Sequence, residues 1–374
     1  MNKKKIVFLT GTRADFGKLK PLMDKIEKSN SFKLYVFVTG MHTLSKYGQT
    51  YIEVQKRGYK NIFVYMNQTH TTDSDIILAN TITGFSNFVK EIKPDLIVIH
   101  GDRIETLSGA IVGSFNNILV AHIEGGEISG TVDEIIRHAV TKLSHLHFVA
   151  NDDAKKRLIQ MGEDENNTFV IGSPDIDIMV SDKLPKLKHV KSYYNIPFKD
   201  YAILIYHPVT TEIDHLNYHV KEVVSAAIES KSNYVVIYPN NDFGNDVILK
   251  EYERLEKRKN FKIFPSIKFE YFLQLLKNSN FIIGNSSTGI REAEVFGVPA
   301  INIGTRQNNR TKSSNVDNVD YNKRKIIQMI SKTKNKKVKP HSFFGDGKSK
   351  ERFYKILKTN KIWETSIEKQ FKDF

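Results

Sequence analysis

Four carboxylates, Glu124, Glu127, Asp133 and Glu134, crowd among three glycines in residues 122–138, directly after an apolar run. Like charges this close repel one another and resist desolvation, so such a cluster is either solvated or working. Its place after a buried-strand pattern favours work, because open parallel sheets bind ligands beyond the carboxyl ends of their strands. Neighbouring carboxylates are suited to acid–base chemistry, in which one takes a proton while another holds one.

Other stations share that placement. His100-Gly101-Asp102-Arg103 follows an apolar run, and Asp102 reads either as a catalytic carboxylate or as the N-cap of the next helix. Gly11-Thr12-Arg13-Ala14-Asp15-Phe16-Gly17 lies between the first apolar run and a helical pattern. It matches neither a P-loop nor G-x-G-x-x-G, yet a Gly turn into a helix offers backbone N–H groups to an anion, and Arg13 adds a forked donor suited to phosphate. A plain tight turn with a surface arginine fits equally. Gly284-Asn285-Ser286-Ser287-Thr288-Gly289 opens a helix expected to carry Arg291 and, one turn inside, Glu292. This is a phosphate site or simple capping, with Glu292 placed for ribose hydroxyls or for a salt bridge. Gly304-Thr305-Arg306 adds another arginine after the next strand, and His207 ends the strand that opens the second half.

A metal is not expected. His122, His138, His145 and His147 are close in sequence without a His-Glu-x-x-His pattern. Asp102, Glu124 and Asp133 could hold a hard cation, but the arginines and the serine-rich turn supply enough positive potential for a pyrophosphate. No cofactor is expected either.

The elements that must position these residues alternate. Residues 5–10, 34–38, 62–65, 96–100, 119–123 and 147–150 read as strands, several apolar on both faces as in a helix-covered parallel sheet. Leu19, Leu22, Met23 and Ile26 fall at the i, i+3, i+4, i+7 spacing of a buried helix face, and residues 104–115 read similarly. The rhythm pauses at Gly172-Ser173-Pro174 and the basic stretch 184–197, read as an interdomain link. It resumes with strands at 202–206, 234–238, 281–283 and 300–303, and a helix face at Phe269, Phe272, Leu273 and Leu276. The expected fold is α/β, with two Rossmann-like domains facing a cleft: 1–176, carrying most of the carboxylates, and 177–354.

The chain's 374 residues suit about two domains. Cysteine is absent, which excludes disulfides and thiolate nucleophiles. The net charge of +14 raises nucleic-acid binding, but the basic stretches lack interleaved aromatics, so a lysine-rich surface is the expectation and nucleic acid is not an expected partner. The first apolar run is too short for a signal peptide and none is long enough to span a membrane, so a cytoplasmic protein without membrane attachment is expected.

Taken in order, Gly11-Thr12-Arg13-Ala14-Asp15, His100-Gly101-Asp102-Arg103, His122-Ile123-Glu124-Gly125-Gly126-Glu127, Ser129-Gly130-Thr131-Val132-Asp133, Ile136-Arg137-His138, Lys142-Leu143-Ser144-His145, His207-Pro208-Val209-Thr210-Thr211, Gly284-Asn285-Ser286-Ser287 and Gly304-Thr305-Arg306-Gln307 resemble the hydrolysing UDP-N-acetylglucosamine 2-epimerases, which supply N-acetylmannosamine for bacterial sialic acid synthesis. The resemblance runs from Lys5 to about the last helix, with no departure at a matching motif position. It implies a glycosyltransferase-B-like fold whose C-terminal helix, about 355–374, packs back on the first domain. It implies catalytic positions at Asp102, Glu124, Asp133 and His207, with Asp15 also implicated. Contacts to UDP are implied at Arg13, Ser286, Ser287, Glu292 and Arg306, and a homodimer or homotetramer is implied as well. Three other readings remain open: a hydrolysing epimerase of a UDP-2,4-diacetamido-trideoxyhexose in legionaminic acid synthesis, a glycosyltransferase on the same fold, and a non-catalytic nucleotide or nucleic-acid binder.

Overall fold

A computed structural model describes residues 3–128, 132–307, 314–334 and 336–372. The expected stretch Ser129-Gly130-Thr131 lies outside them. The chain forms two compact units: residues up to 127, 133–181 and 343 onward in the first, 128–132 and 182–342 in the second. The expected division at 176/177 falls inside the short helix Ile176–Met179, whose Ile176 and Met179 are buried.

The first unit carries β1 (Lys4–Thr10), β2 (Phe32–Val38), β3 (Ile62–Val64), β4 (Leu96–His100), β5 (Leu119–Ile123), β6 (Leu146–Val149) and β7 (Thr168–Val170) in one parallel sheet, ordered β3-β2-β1-β4-β5-β6-β7. The order reverses between β1 and β4, so the crevice at this switch point opens beside Thr10 and His100. The helix Arg13–Glu27 shows how the local sequence builds this frame. Thr12 caps it by accepting the Asp15 N–H at 3.1 Å, and Leu19, Leu22, Met23 and Ile26 are fully buried. Each such side chain contributes roughly 1.5–3 kcal/mol on burial.

The returning C-terminal segment is shorter in its helix than expected. The helix spans Ser349–Leu357, followed by a 3-10 turn at Lys361–Glu364 and irregular backbone to residue 372, in place of one helix over about 355–374. Among the described residues there, Phe353, Leu357 and Ile362 supply the buried apolar anchors, and residues 366–372 are exposed and mostly polar. Phe353 meets the Phe148 ring edge-on at 4.9 Å, and Lys25 pairs with Glu351 at 2.6 Å.

The second unit repeats the plan with β8 (Ala202–Ile205), β9 (Tyr234–Ile237), β10 (Phe261–Phe264), β11 (Ile282–Gly284), β12 (Ala300–Ile303) and β13 (Val316–Val319), all parallel, ordered β10-β9-β8-β11-β12-β13. Its switch point lies between β8 and β11, beside His207 and Asn285. β11 lies against β8 so closely that a Cβ on Gly284 would sit 1.8 Å from the Ile205 carbonyl oxygen. Strands β7, β10 and β13 were not expected from the sequence. Among the described residues no helix is long and apolar enough to cross a membrane.

Candidate active site

In the first unit the strand ends bring acidic residues onto one histidine. His100, the last residue of β4, is nearly buried; its Nδ1 lies 2.8 Å from Asp15 Oδ1 and its Nε2 3.1 Å from Glu124 Oε2. Burial alone would push this imidazole down. The Glu124 charge and the Asp15 hydrogen bond outweigh it and raise the group to about 9, so His100 is a cation at neutral pH. Asp15 also accepts the Gly11 N–H at 3.2 Å. Glu124 accepts a hydrogen bond from the Ser173 hydroxyl on its other oxygen. Glu124 itself stands at φ 62, a left-handed conformation that costs a non-glycine residue of order 1–3 kcal/mol and is concentrated at functional sites.

Asp102 is not the cap of the next helix. Arg103 occupies the cap position without a side-chain bond, and Asp102 instead accepts a charge-assisted hydrogen bond from the buried Arg137. Arg137 lies on the helix Val132–Leu143, one turn beyond Asp133, so the two share a helix face. Asp133 and Glu134 sit in that helix's first turn, where negative charge is favoured. Glu134 lies 3.4 Å from His138.

His122 supports this loop from below. Its Nε2–H donates to the Gly101 carbonyl at 2.8 Å and its Nδ1 lies 3.2 Å from the Thr141 hydroxyl. Burial pushes His122 down to about 3, and His42, held between the Thr10 and Thr50 hydroxyls, likewise to about 3. Both stay neutral in the folded chain, whereas unfolded histidine takes a proton near 6.5. Their contribution is therefore complete above about pH 6.5 and declines below it, by roughly 1.4 kcal/mol per pH unit for each histidine. His100, raised to about 9, acts in the opposite sense by about 1.4 kcal/mol over this range, so chemical denaturation should show the three histidines together leaving stability lower by about 1.4 kcal/mol at pH 5.5 than at pH 7.5. A flat profile across that range would contradict the buried neutral assignment.

In the second unit Asn285, fully buried, organises the strand ends. Its side-chain oxygen accepts the His207 N–H at 2.7 Å, and its amide donates back to the His207 carbonyl at 2.8 Å. Its own carbonyl accepts from Arg306 at 3.3 Å and from Gln307 at 2.8 Å. The Asn240 N–H donates to His207 Nδ1 at 3.2 Å, which leaves the ring proton of a neutral His207 on Nε2. Ser286 caps a 3-10 turn, Ser287–Gly289, by accepting from the Thr288 N–H. The helix after it is only Glu292–Phe296, so Glu292 is its buried first residue and lies at the helix start, not one turn inside. The intervening Ile290-Arg291 breaks the two apart, with Arg291 at φ −93, ψ −71.

Residues 24–358 match the model of the family described as UDP-N-acetylglucosamine 2-epimerase. The chain belongs to this family. It is 46% identical, over 99% of both chains, to the UDP-N-acetylglucosamine 2-epimerase of Neisseria meningitidis serogroup B. It is 36% identical to the hydrolysing UDP-N,N'-diacetylbacillosamine 2-epimerase of Legionella pneumophila, covering 95% of this chain and 96% of that one. The solved structure of the Methanocaldococcus jannaschii UDP-GlcNAc 2-epimerase, in complex with UDP-GlcNAc and UDP, superposes with a TM-score of 0.81 at 25% identity, over 94% of this chain and 99% of that chain. The fold is thus that of this epimerase family, two Rossmann-like α/β units each built on a parallel sheet.

Within this epimerase-family chain, Asp15 and Glu124 meet through His100, and Asp102 and Asp133 connect through Arg137 and its helix. His207, Ser286 and Arg306 gather on or beside Asn285. Arg13 stands at the start of its helix, where its guanidinium donates to Glu53 at 2.6 Å. Sequence reasoning missed Ser173, Arg137 and Asn285. Arg137 and Asn285 lie inside the sequence motifs without a role of their own there; Ser173 lies in the stretch that reads as a link, although it follows the strand end of β7 as Asp102 follows that of β4. Among the described residues no group of three His, Asp or Glu side chains is arranged to hold a metal ion.

Proposed function

We propose that this protein is a hydrolysing epimerase, converting UDP-N-acetylglucosamine and water to N-acetylmannosamine and UDP. The observation that carries the reading is the set of carboxylates at the strand ends of the first unit, with Glu124 against His100 and Asp102 against Arg137.

The chemistry asks for such a set. The hydrogen at C2 of the sugar is not next to a carbonyl and is barely acidic. The anomeric C–O bond must lengthen first and leave positive charge on the ring. A carboxylate stabilises that cation while another accepts the C2 proton, giving a glycal and UDP. Water then adds at C1 as a proton returns to C2 from the opposite face, which inverts C2. Asp102, held by a charge-assisted hydrogen bond from Arg137, is suited to be the base at C2. Glu124 is suited to return the proton, and Asp133 to steady the anomeric charge.

In the second unit Arg306, His207, Ser286 and Ser287 are suited to neutralise the leaving diphosphate, and Glu292 to accept from ribose hydroxyls. Arg13 of the first unit is a further forked donor suited to an anion. The enzyme works without a metal or cofactor, in the cytoplasm as a homodimer or homotetramer, and feeds sialic acid synthesis. The 36% identity to a hydrolysing diacetylbacillosamine epimerase favours one second reading, a 2,4-diacetamido-trideoxyhexose substrate.

The test is product identity. Purified protein is supplied in turn with UDP-N-acetylglucosamine and with UDP-N,N'-diacetylbacillosamine, and the sugars are followed by NMR. Free N-acetylmannosamine with stoichiometric UDP is expected from the first. An equilibrium mixture with UDP-N-acetylmannosamine would show a non-hydrolysing enzyme, and turnover of the second substrate alone would move the assignment to the diacetamido sugar.

A further inference from the structure

The Glu124 carboxylate has a partner that no step above uses. Its Oε2 faces His100 Nε2 at 3.1 Å, and the far side of the same ring, Nδ1, is held by Asp15 Oδ1 at 2.8 Å. Asp15 is fixed in turn by the Gly11 N–H at 3.2 Å. The opposite oxygen of Glu124 takes the Ser173 hydroxyl, and Ser173 is itself pinned by the returning C-terminal segment. Its N–H donates to the Phe344 carbonyl at 2.6 Å, and its carbonyl accepts from the Ser349 hydroxyl at 3.0 Å. The arrangement holds the carboxylate and ring in one geometry and gives both ring nitrogens an acidic neighbour.

We infer that His100 is a positioning residue for Glu124, an imidazolium between Asp15 and Glu124 that fixes this carboxylate and lends it the proton passed to C2 in the hydration half-reaction. The inference rests on the hydrolysing-epimerase reading. The proton balance closes. The Nε2–H bond breaks as an O–H bond forms on Glu124; that O–H then breaks as the glycal double-bond electrons form the C2–H bond. Water captures the cation at C1 and yields its second proton to a carboxylate. The neutral imidazole keeps its Nδ1–H on Asp15 and regains the lost proton from solvent before the next turnover.

The charged surroundings support a resident cation. Asp15 faces the ring from the helix Arg13–Glu27 and Glu124 from the end of β5, with neutral His122 behind it on β5. On the ring's own loop the Asp102 charge is matched by Arg137 from the helix Val132–Leu143. The group is raised to about 9, so the imidazolium persists at neutral pH and is lost as pH rises through that value. Burial opposes this charge, and the two carboxylates sustain it.

The test compares wild type with His100→Gln, whose amide keeps a hydrogen-bond donor but carries no transferable charge. Expected are a kcat lower by about 10²-fold or more, a KM for UDP-N-acetylglucosamine within a few-fold, and loss of the decline in kcat that wild type shows as pH passes about 9. Independently, imidazole ¹⁵N shifts of wild type at pH 7.5 should show both His100 nitrogens protonated, and Glu124→Gln should lower the pH at which that signal titrates. That measurement stands even where His100→Gln does not fold. An unchanged kcat, a basic limb retained in the variant, or a neutral His100 at pH 7.5 would each overturn the inference. Wild-type turnover with an unaffected variant refutes His100 alone, whereas a wild type that releases no UDP refutes the hydrolysing reading and this role with it.

Discussion

Asp102→Asn should lower kcat by about 10²–10⁴-fold, the span a positioned general base contributes, with KM changed only a few-fold. Asparagine keeps the shape of the side chain and an oxygen that can accept from Arg137, but it cannot take the proton from C2. Arg137 is buried while Asp102 is about a quarter exposed, so the weakened pair costs less than a fully buried one. Loss of activity should therefore exceed any loss of fold. Exchange of the C2 hydrogen with solvent deuterium should disappear together with UDP release, because proton removal and C–O cleavage belong to one elimination. A variant that is slow yet exchanges C2 normally would take Asp102 out of the base position.

The second large effect is on the strand ends of the second unit. Gly284→Ala places a methyl group 1.8 Å from the Ile205 carbonyl oxygen, on a backbone at φ 133 that alanine rarely adopts. Backbone faces backbone there, so no rotamer change relieves it. The β8–β11 pairing must open, and with it the His207–Asn285 bonds that follow directly. A cost above about 3 kcal/mol is expected, lowering the melting temperature by about 10 °C or more or leaving the chain insoluble. Gly48→Ala is the control. Its φ of 83 is also left-handed, but a Cβ there meets nothing within 4 Å, so only the conformational cost of about 1 kcal/mol remains. Calorimetry of the two variants separates a clash from simple strain, and equal melting temperatures would contradict the close approach.

These contrasts also show what could be read from the residues. The strands at Leu96–His100, Leu119–Ile123 and Ala300–Ile303 were legible to the residue, because central parallel strands are buried on both faces and stand out as apolar runs. Strands β7, β10 and β13 were missed, and all three are sheet edges. An edge strand needs less apolar surface: Thr168–Val170 is three residues long, and Val316–Val319 carries Asp317 and Asn318. The acidic stations were legible because chemistry at strand ends leaves unusual residue types beside glycines. Their partners were not. His100 meets Asp15 across 85 residues, Ser173 reaches Glu124 across 49 and Arg137 reaches Asp102 across 35. No local pattern encodes such pairings; only the order of strands in the sheet brings them together. The expected C-terminal helix over about 355–374 fails for a related reason, since the last buried anchor, Ile362, belongs to a separate turn.

Elimination through a glycal is the central claim, and solvent deuterium tests it most directly. The protein is incubated with UDP-N-acetylglucosamine in deuterated water without any acceptor, and the released sugar is followed by NMR. The account predicts N-acetylmannosamine bearing one deuterium at C2, together with one UDP per sugar. Release of UDP with N-acetylglucosamine that retains its original C2 hydrogen would be simple hydrolysis and would contradict it.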